Sequence, residues 1–186
     1  MPETANGGMF RSLRHRNARI YFIGLLVSNI GTWMQFTATS IYLYKLEGNA
    51  TALGINAALQ FLPMLMFGAW AGALADRHNR LRITKITQVL MSAQAFLLGI
   101  CVLAGVRSVI MVFVLTTFLG LIGAIDNPAR RGLITEIVPT SDLSNGMSLN
   151  TATMTGSRIF GPTLAAAFVG PLGVGWLFII NGVSYA

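Results

Sequence analysis

Six intervals of the chain contain no Asp, Glu, Lys or Arg: residues 20–44, 48–75, 86–106, 108–125, 143–157 and 159–186. Each of the first four is about long enough for one α-helix to cross a hydrocarbon layer, which takes roughly 20 apolar residues for about 30 Å. The last two are divided only by Arg158 and by the break GPLG at 170–173. A bilayer admits only helices or closed barrels as spanning structures, and these runs are far longer than barrel strands and do not alternate. Composition points the same way: 54% of residues are hydrophobic, 10% are charged and the mean hydropathy is +0.64, whereas a soluble domain carries about 25% charged residues. The expected fold is all-α and membrane-embedded, with the lipid bilayer as its solvent.

The runs predict a basic tail over residues 1–17 and a helix bundle over 18–186. Helices are expected near 20–44, 50–75, 83–106, 108–127 and 146–169, with a sixth over 173–186. From Gly175 only twelve residues remain, and at 1.5 Å each they rise about 18 Å. The sixth helix is therefore expected to be incomplete, and the chain to be the N-terminal piece of a longer protein.

Cytoplasmic loops carry the excess of Lys and Arg. Arg11, Arg14, Arg16 and Arg19 precede the first run, Arg77, Arg80, Arg82 and Lys85 separate the second and third, and Arg130 and Arg131 follow the fourth. The intervening connections hold only Lys45 and Arg107. The expected N-terminus is cytoplasmic, in a multi-pass protein of the plasma or inner membrane. The net charge of +7 is spread over helix ends, where it suits anionic headgroups, so no nucleic-acid partner is expected.

Five of the charged residues crowd into residues 76–85, directly after the small-residue run that ends helix two. This turn resembles the signature G-x-x-x-D-R-x-G-R-R/K of the major facilitator superfamily, with Gly72, Asp76, Arg77 and Arg80 in register. Asn79 stands where that signature has its second glycine, and a left-handed backbone conformation there would suit Asn as well. Further stretches are similar to the enterobactin-exporter-like branch: VSNIGTWMQ at 27–35, LQFLPM at 59–64, and IDNPARRGLITEIVP at 125–139. GSRIFGP at 156–162 is similar to a helix-five Gly-Pro element of superfamily exporters, carried here by Arg158, Gly161 and Pro162; Ala165 and Ala166 replace the glycines usual beyond it.

The resemblance implies the N-terminal six-helix half of a twelve-helix transporter whose second half is the missing partner. It implies that Gly72, Asp76, Arg77 and Arg80 form a conformational latch, with Asp76 facing a helix N-terminus of that second half. The arginine that many superfamily antiporters carry in helix four is not found in VFVLTTFLG at 112–120. Proton coupling is accordingly expected to depend on a carboxylate of the missing half.

Polar and aromatic residues within the runs mark a candidate cavity. Asn29, Trp33, Phe36 and Ser40 follow helical spacing along one face of helix one, with Gln35 nearby; Gln60 and Gln94 lie inside helices two and three. Such a lining suits a small, bulky, partly polar organic substrate. Each of the polar residues equally suits an interhelical hydrogen bond. Arg158 is expected about 18 Å from the start of helix five, near mid-bilayer, where a charge normally faces a cavity or a partner. Asp126, expected to end helix four at the membrane surface, should be out of its reach. Pro162 leaves the Arg158 carbonyl without its usual helical partner. Arg158 is thus either a cavity residue or a structural clamp.

Enzyme chemistry is not expected. His15 and His78 lie far apart and Cys101 stands alone, so neither metal-ligand spacing nor a nucleophile–base set is present, and no cofactor is implied. Without a Gly-rich phosphate loop, direct ATP drive is not expected. Two functions remain open: a secondary transporter exporting a siderophore-like or drug-like solute by alternating access, ion- or proton-coupled, and a non-transporting membrane module or inert fragment.

Overall fold

The computed structural model describes residues 11–185; residues 1–10 of the expected tail and Ala186 of the expected sixth helix lie outside them. Six α-helices follow one another: α1 (Arg16–Glu47), α2 (Ala50–Arg77), α3 (Arg80–Leu103), α4 (Val109–Ile137), α5 (Leu143–Leu172) and α6 (Val174–Ser184). Short 3₁₀ turns cover Arg11–Arg14 and Thr140–Asp142, and no strand occurs among the described residues. By length and composition, α2, α3 and α4 are apolar enough to cross a membrane.

Local chemistry explains where the helices start and stop. Asn49, Asn79 and Ser108 cap α2, α3 and α4, each side chain accepting from the backbone N–H three residues on, as short polar N-caps do. The α1 helix ends at Gly48, whose φ of 67° suits a residue without a Cβ. Asn79 is not left-handed, contrary to the expectation: its φ is −65° and its ψ 109°. It suits that position because its side chain caps the next helix.

The helices outrun the charge-free intervals. The largest correction is α4, expected to end near residue 127 but continuous to Ile137 through Pro128. The added turns are amphipathic: Ala129, Leu133 and Ile134 are buried while Arg131 and Glu136 are exposed. Ile134 packs with Ala18, Phe22 and Leu25 of α1, so tertiary burial holds the extension. Consequently α4 is not free of charge, but carries Asp126, Arg130 and Arg131 within the helix. The α5 helix likewise starts earlier than expected, at Leu143, and passes Pro171, stopping only at Gly173 with φ 79°.

The fold pairs α1 with α5 and α6, α2 with α4, and α3 with α4 and α6. A continuous apolar core joins Met34, Ala38 and Leu43 of α1 to Leu98, Val112, Leu177 and Phe178. Two close crossings set the spacing of the helices around the site. A Cβ on Gly161 would lie 2.9 Å from the Ile30 carbonyl and against Trp33, and one on Gly120 would lie 2.6 Å from the Gln60 carbonyl. Small residues allow such backbone approach where lipid gives helices little hydrophobic reason to associate. The chain before α1 is also tied down: the Ser12 hydroxyl donates to Asn145 Oδ1 at 2.7 Å, and His15 Nε2 lies 3.3 Å from Asp142.

Candidate functional site

A cavity of about 270 Å³ opens where α1, α2, α4 and α5 converge. The α1 wall is Asn29, Thr32, Trp33 and Phe36, and α2 adds Gln60, Phe61 and Met64. Phe36 and Phe61 stand 5.8 Å apart, and Trp33 meets Phe36 edge-on at 5.8 Å. The three rings form one aromatic wall, offering both faces and edges to a ligand.

The rest of the lining carries the charge. Asp126, Asn127, Arg130 and Arg131 come from α4, and Arg158 from α5. Asp126 is 4% exposed; its Oδ2 lies 2.5 Å from Arg130 Nε and its Oδ1 accepts from Thr87 at 2.5 Å. Arg130 Nη1 also donates to Ser28 Oγ at 3.3 Å, and Tyr21 donates to the Arg130 carbonyl at 3.1 Å. A buried carboxylate is tolerated when paired and hydrogen-bonded, and Asp126 is both. Arg158 lies with Cζ 5.3 Å from the Trp33 ring centroid, within cation–π range. Neither Arg131 nor Arg158 forms an ion pair among the described residues. Asn29 adds a buried side-chain N–H group without a hydrogen-bond partner.

Of the residues anticipated for a cavity, Asn29, Trp33, Phe36, Gln60 and Arg158 therefore share one wall-to-wall space. Ser40 lies beyond it, its hydroxyl returning to the Phe36 carbonyl. Gln35 and Gln94 are elsewhere, both 2% exposed. Gln35 Nε2 donates to Gln94 Oε1 at 3.1 Å, Asn181 Nδ2 donates to Gln35 Oε1 at 2.7 Å, and Gln94 Nε2 donates to the Leu115 carbonyl at 3.2 Å. Asp126 pairs with Arg130 and not with Arg158, as expected, although both residues line the same cavity. Arg130 and Arg131 were missed as cavity residues because α4 was expected to end near residue 127, while Asp126 and Asn127 fell at that expected end and were not assigned to the cavity. The signal that could have found them is the apolar spacing of Ala129, Leu133 and Ile134 beyond Pro128.

Gly161 packs α5 onto α1. Pro162 lies within the continuous α5 helix, and the hydroxyl of the next residue, Thr163, donates to the Ile159 carbonyl at 2.7 Å. At the α2–α3 turn, Arg80 donates to Asp76 at 2.8 Å, to Glu136 at 3.3 Å and to the Gly132 carbonyl at 3.2 Å. Asp76 thus pairs with Arg80 of its own half, and this cluster clasps α2, α3 and α4. Arg77 is exposed, and among the described residues nothing lies within 4 Å of where a Cβ on Gly72 would stand.

A family model described as transmembrane secretion effector matches residues 7–186. The chain is similar to the staphyloferrin A transporter of Staphylococcus aureus, 23% identical over 170 residues that cover 90% of this chain and 42% of that protein. It is also similar to macrolide efflux protein A of Streptococcus pyogenes, 28% identical over 143 residues covering 77% of this chain and 35% of that protein. A third relative, the MFS-type transporter YfiS of Bacillus subtilis, is 22% identical over 160 residues. The chain spans about two-fifths or less of the length of these curated relatives. No solved structure matches it significantly.

Proposed function

The chain belongs to the transmembrane secretion effector family of the major facilitator superfamily, and from that premise we propose that it supplies the first six helices of a secondary transporter exporting a small organic solute. Alternating access would rock these helices against a second half about a central site. The observation that carries this reading is the cavity of α1, α2, α4 and α5, whose lining combines aromatic rings with polar and cationic groups. Such a mixture of apolar surface and few polar anchors is the usual make-up of a small-molecule site.

In this reading the N-terminus lies in the cytoplasm of a bacterial-type plasma membrane, as the Lys and Arg distribution favours. The drive is an ion gradient, with the proton as the first ion to test, and the protein performs no covalent chemistry on its cargo. Gly72, Asp76, Arg77 and Arg80 form a latch at the cytoplasmic face, where Arg80 joins three helix ends. The partners are the lipid bilayer, the solute and a C-terminal half, with no nucleic acid.

The test is flux. Inside-out vesicles containing the complete transporter that carries this segment should accumulate aromatic amphiphiles when a proton gradient is imposed, and Phe36→Ala should reduce that uptake. Correctly inserted protein that moves none of a broad amphiphile panel would contradict the proposal.

A further inference from the structure

We propose that the ligand of this cavity is an organic anion, an aromatic or alkyl body bearing a carboxylate or similar acidic group. The inference rests on the reading of the cavity as a solute site and adds the sign of the solute. Four charged side chains line the space: Asp126, Arg130, Arg131 and Arg158. Asp126 is already engaged by Arg130 and Thr87. That leaves Arg131 and Arg158 as two guanidinium groups without an acidic partner among the described residues.

The hydrogen-bonding inventory leans the same way. A guanidinium carries five donors and accepts nothing, and the partnerless Asn29 Nδ2 is a further donor. Arg158 rests against the face of Trp33, a contact that steadies the group while leaving its N–H donors free. A planar donor fork held in this way matches a carboxylate with two parallel hydrogen bonds. The aromatic wall of Trp33, Phe36 and Phe61 would take the apolar body of the same ligand. A cationic amphiphile would instead bring like charge towards two unpaired arginines, in a space where the one acidic side chain is occupied.

The experiment uses the full chain in lipid nanodiscs and three probes on one aromatic body: 1-naphthylacetate, 1-naphthylmethanol and 1-naphthylmethylammonium. Equilibrium dialysis gives the three affinities, for wild type, Arg158→Gln, Arg131→Gln and the charge-retaining Arg158→Lys. The anion is expected to bind about tenfold or more tighter than the cation, as charge-assisted hydrogen bonds are markedly stronger than neutral ones. The Gln variants should lose most of that preference while keeping the neutral probe's affinity, and Lys should retain part of it. Melting temperatures equal to wild type show that the variants are folded. Equal or tighter binding of the cation overturns the anion proposal and leaves the solute site standing. Failure of all three probes to bind folded protein overturns both.

Discussion

Two polar clusters lie within the same bundle and could hardly be handled more differently. The Gln35–Gln94–Asn181 cluster joins α1, α3 and α6, reaches α4 through the Leu115 carbonyl, and uses both amide atoms of each glutamine. The Arg131–Arg158–Asn29 group faces an open space with donors left over. Buried polar groups in a dry interior are normally fully hydrogen-bonded, and the amide cluster obeys that rule. It reads as a knot that fixes helix register. In the other group Asn29 Nδ2 departs from the rule, and the exposed Arg131 and Arg158 add further donors without an acidic partner beside an aromatic wall. The contrast separates scaffold from site more sharply than residue type does, since both clusters contain amides inside helices.

The largest effect should come from the crossing that joins the two regions. Gly161→Val would force a branched side chain against Trp33 and the Ile30 carbonyl. Overpacking of this kind costs about 1–3 kcal/mol and occasionally more, and backbone on the facing side leaves little room to yield. Purified protein should melt markedly lower, and binding should fall with it because Arg158 and Trp33 lose their relative placement. An unchanged melting temperature would show that α1 and α5 are not locked at this point.

Next in size, Gln35→Leu should destabilise without touching the cavity. It strands Asn181 Nδ2 and Gln94 Oε1, and an orphaned buried group costs about 1–3 kcal/mol. Hydrogen bonds between membrane helices average only about 0.6 kcal/mol, which is why the expected loss comes from the stranded partners. Chemical or thermal denaturation in detergent measures it. If stability held while ligand binding fell, the assignment of scaffold and site would be reversed.

Much of this was legible in the sequence, for physical reasons that also explain what was not. Charge-free runs located the helices because lipid tolerates little charge. They misplaced the ends, because a charged residue at a membrane boundary can continue the helix, as α4 does from Asp126 to Ile137. Helical spacing found Asn29, Trp33 and Phe36 on one face. Gln35 is two residues past Trp33, about 200° around an α-helix, and so turns into the core. Arg130 and Arg131 were hidden because Pro128 resembles a terminator, while the packing of Leu133 and Ile134 that sustains the helix is tertiary.

The smallest stability effect belongs to the α2–α3 turn. Asp76 is largely exposed, and exposed ion pairs contribute about 0–1 kcal/mol. Asp76→Asn should leave the melting temperature near wild type while slowing transport in the complete protein, because Arg80 would hold α2 less firmly to α4. Vesicle flux at the wild-type rate would remove this turn from the mechanism.

The most direct test of the contrast is a paired measurement of melting temperature and 1-naphthylacetate affinity for Arg158→Ala beside Gln35→Leu. Arg158→Ala is expected to keep the melting temperature and lose most of the binding, since the side chain serves a ligand and no ion-pair partner is left stranded. Gln35→Leu is expected to lose stability and, while still folded, keep its affinity. If Arg158→Ala melts lower and binds as wild type, Arg158 is a clamp and the cavity is not the solute site.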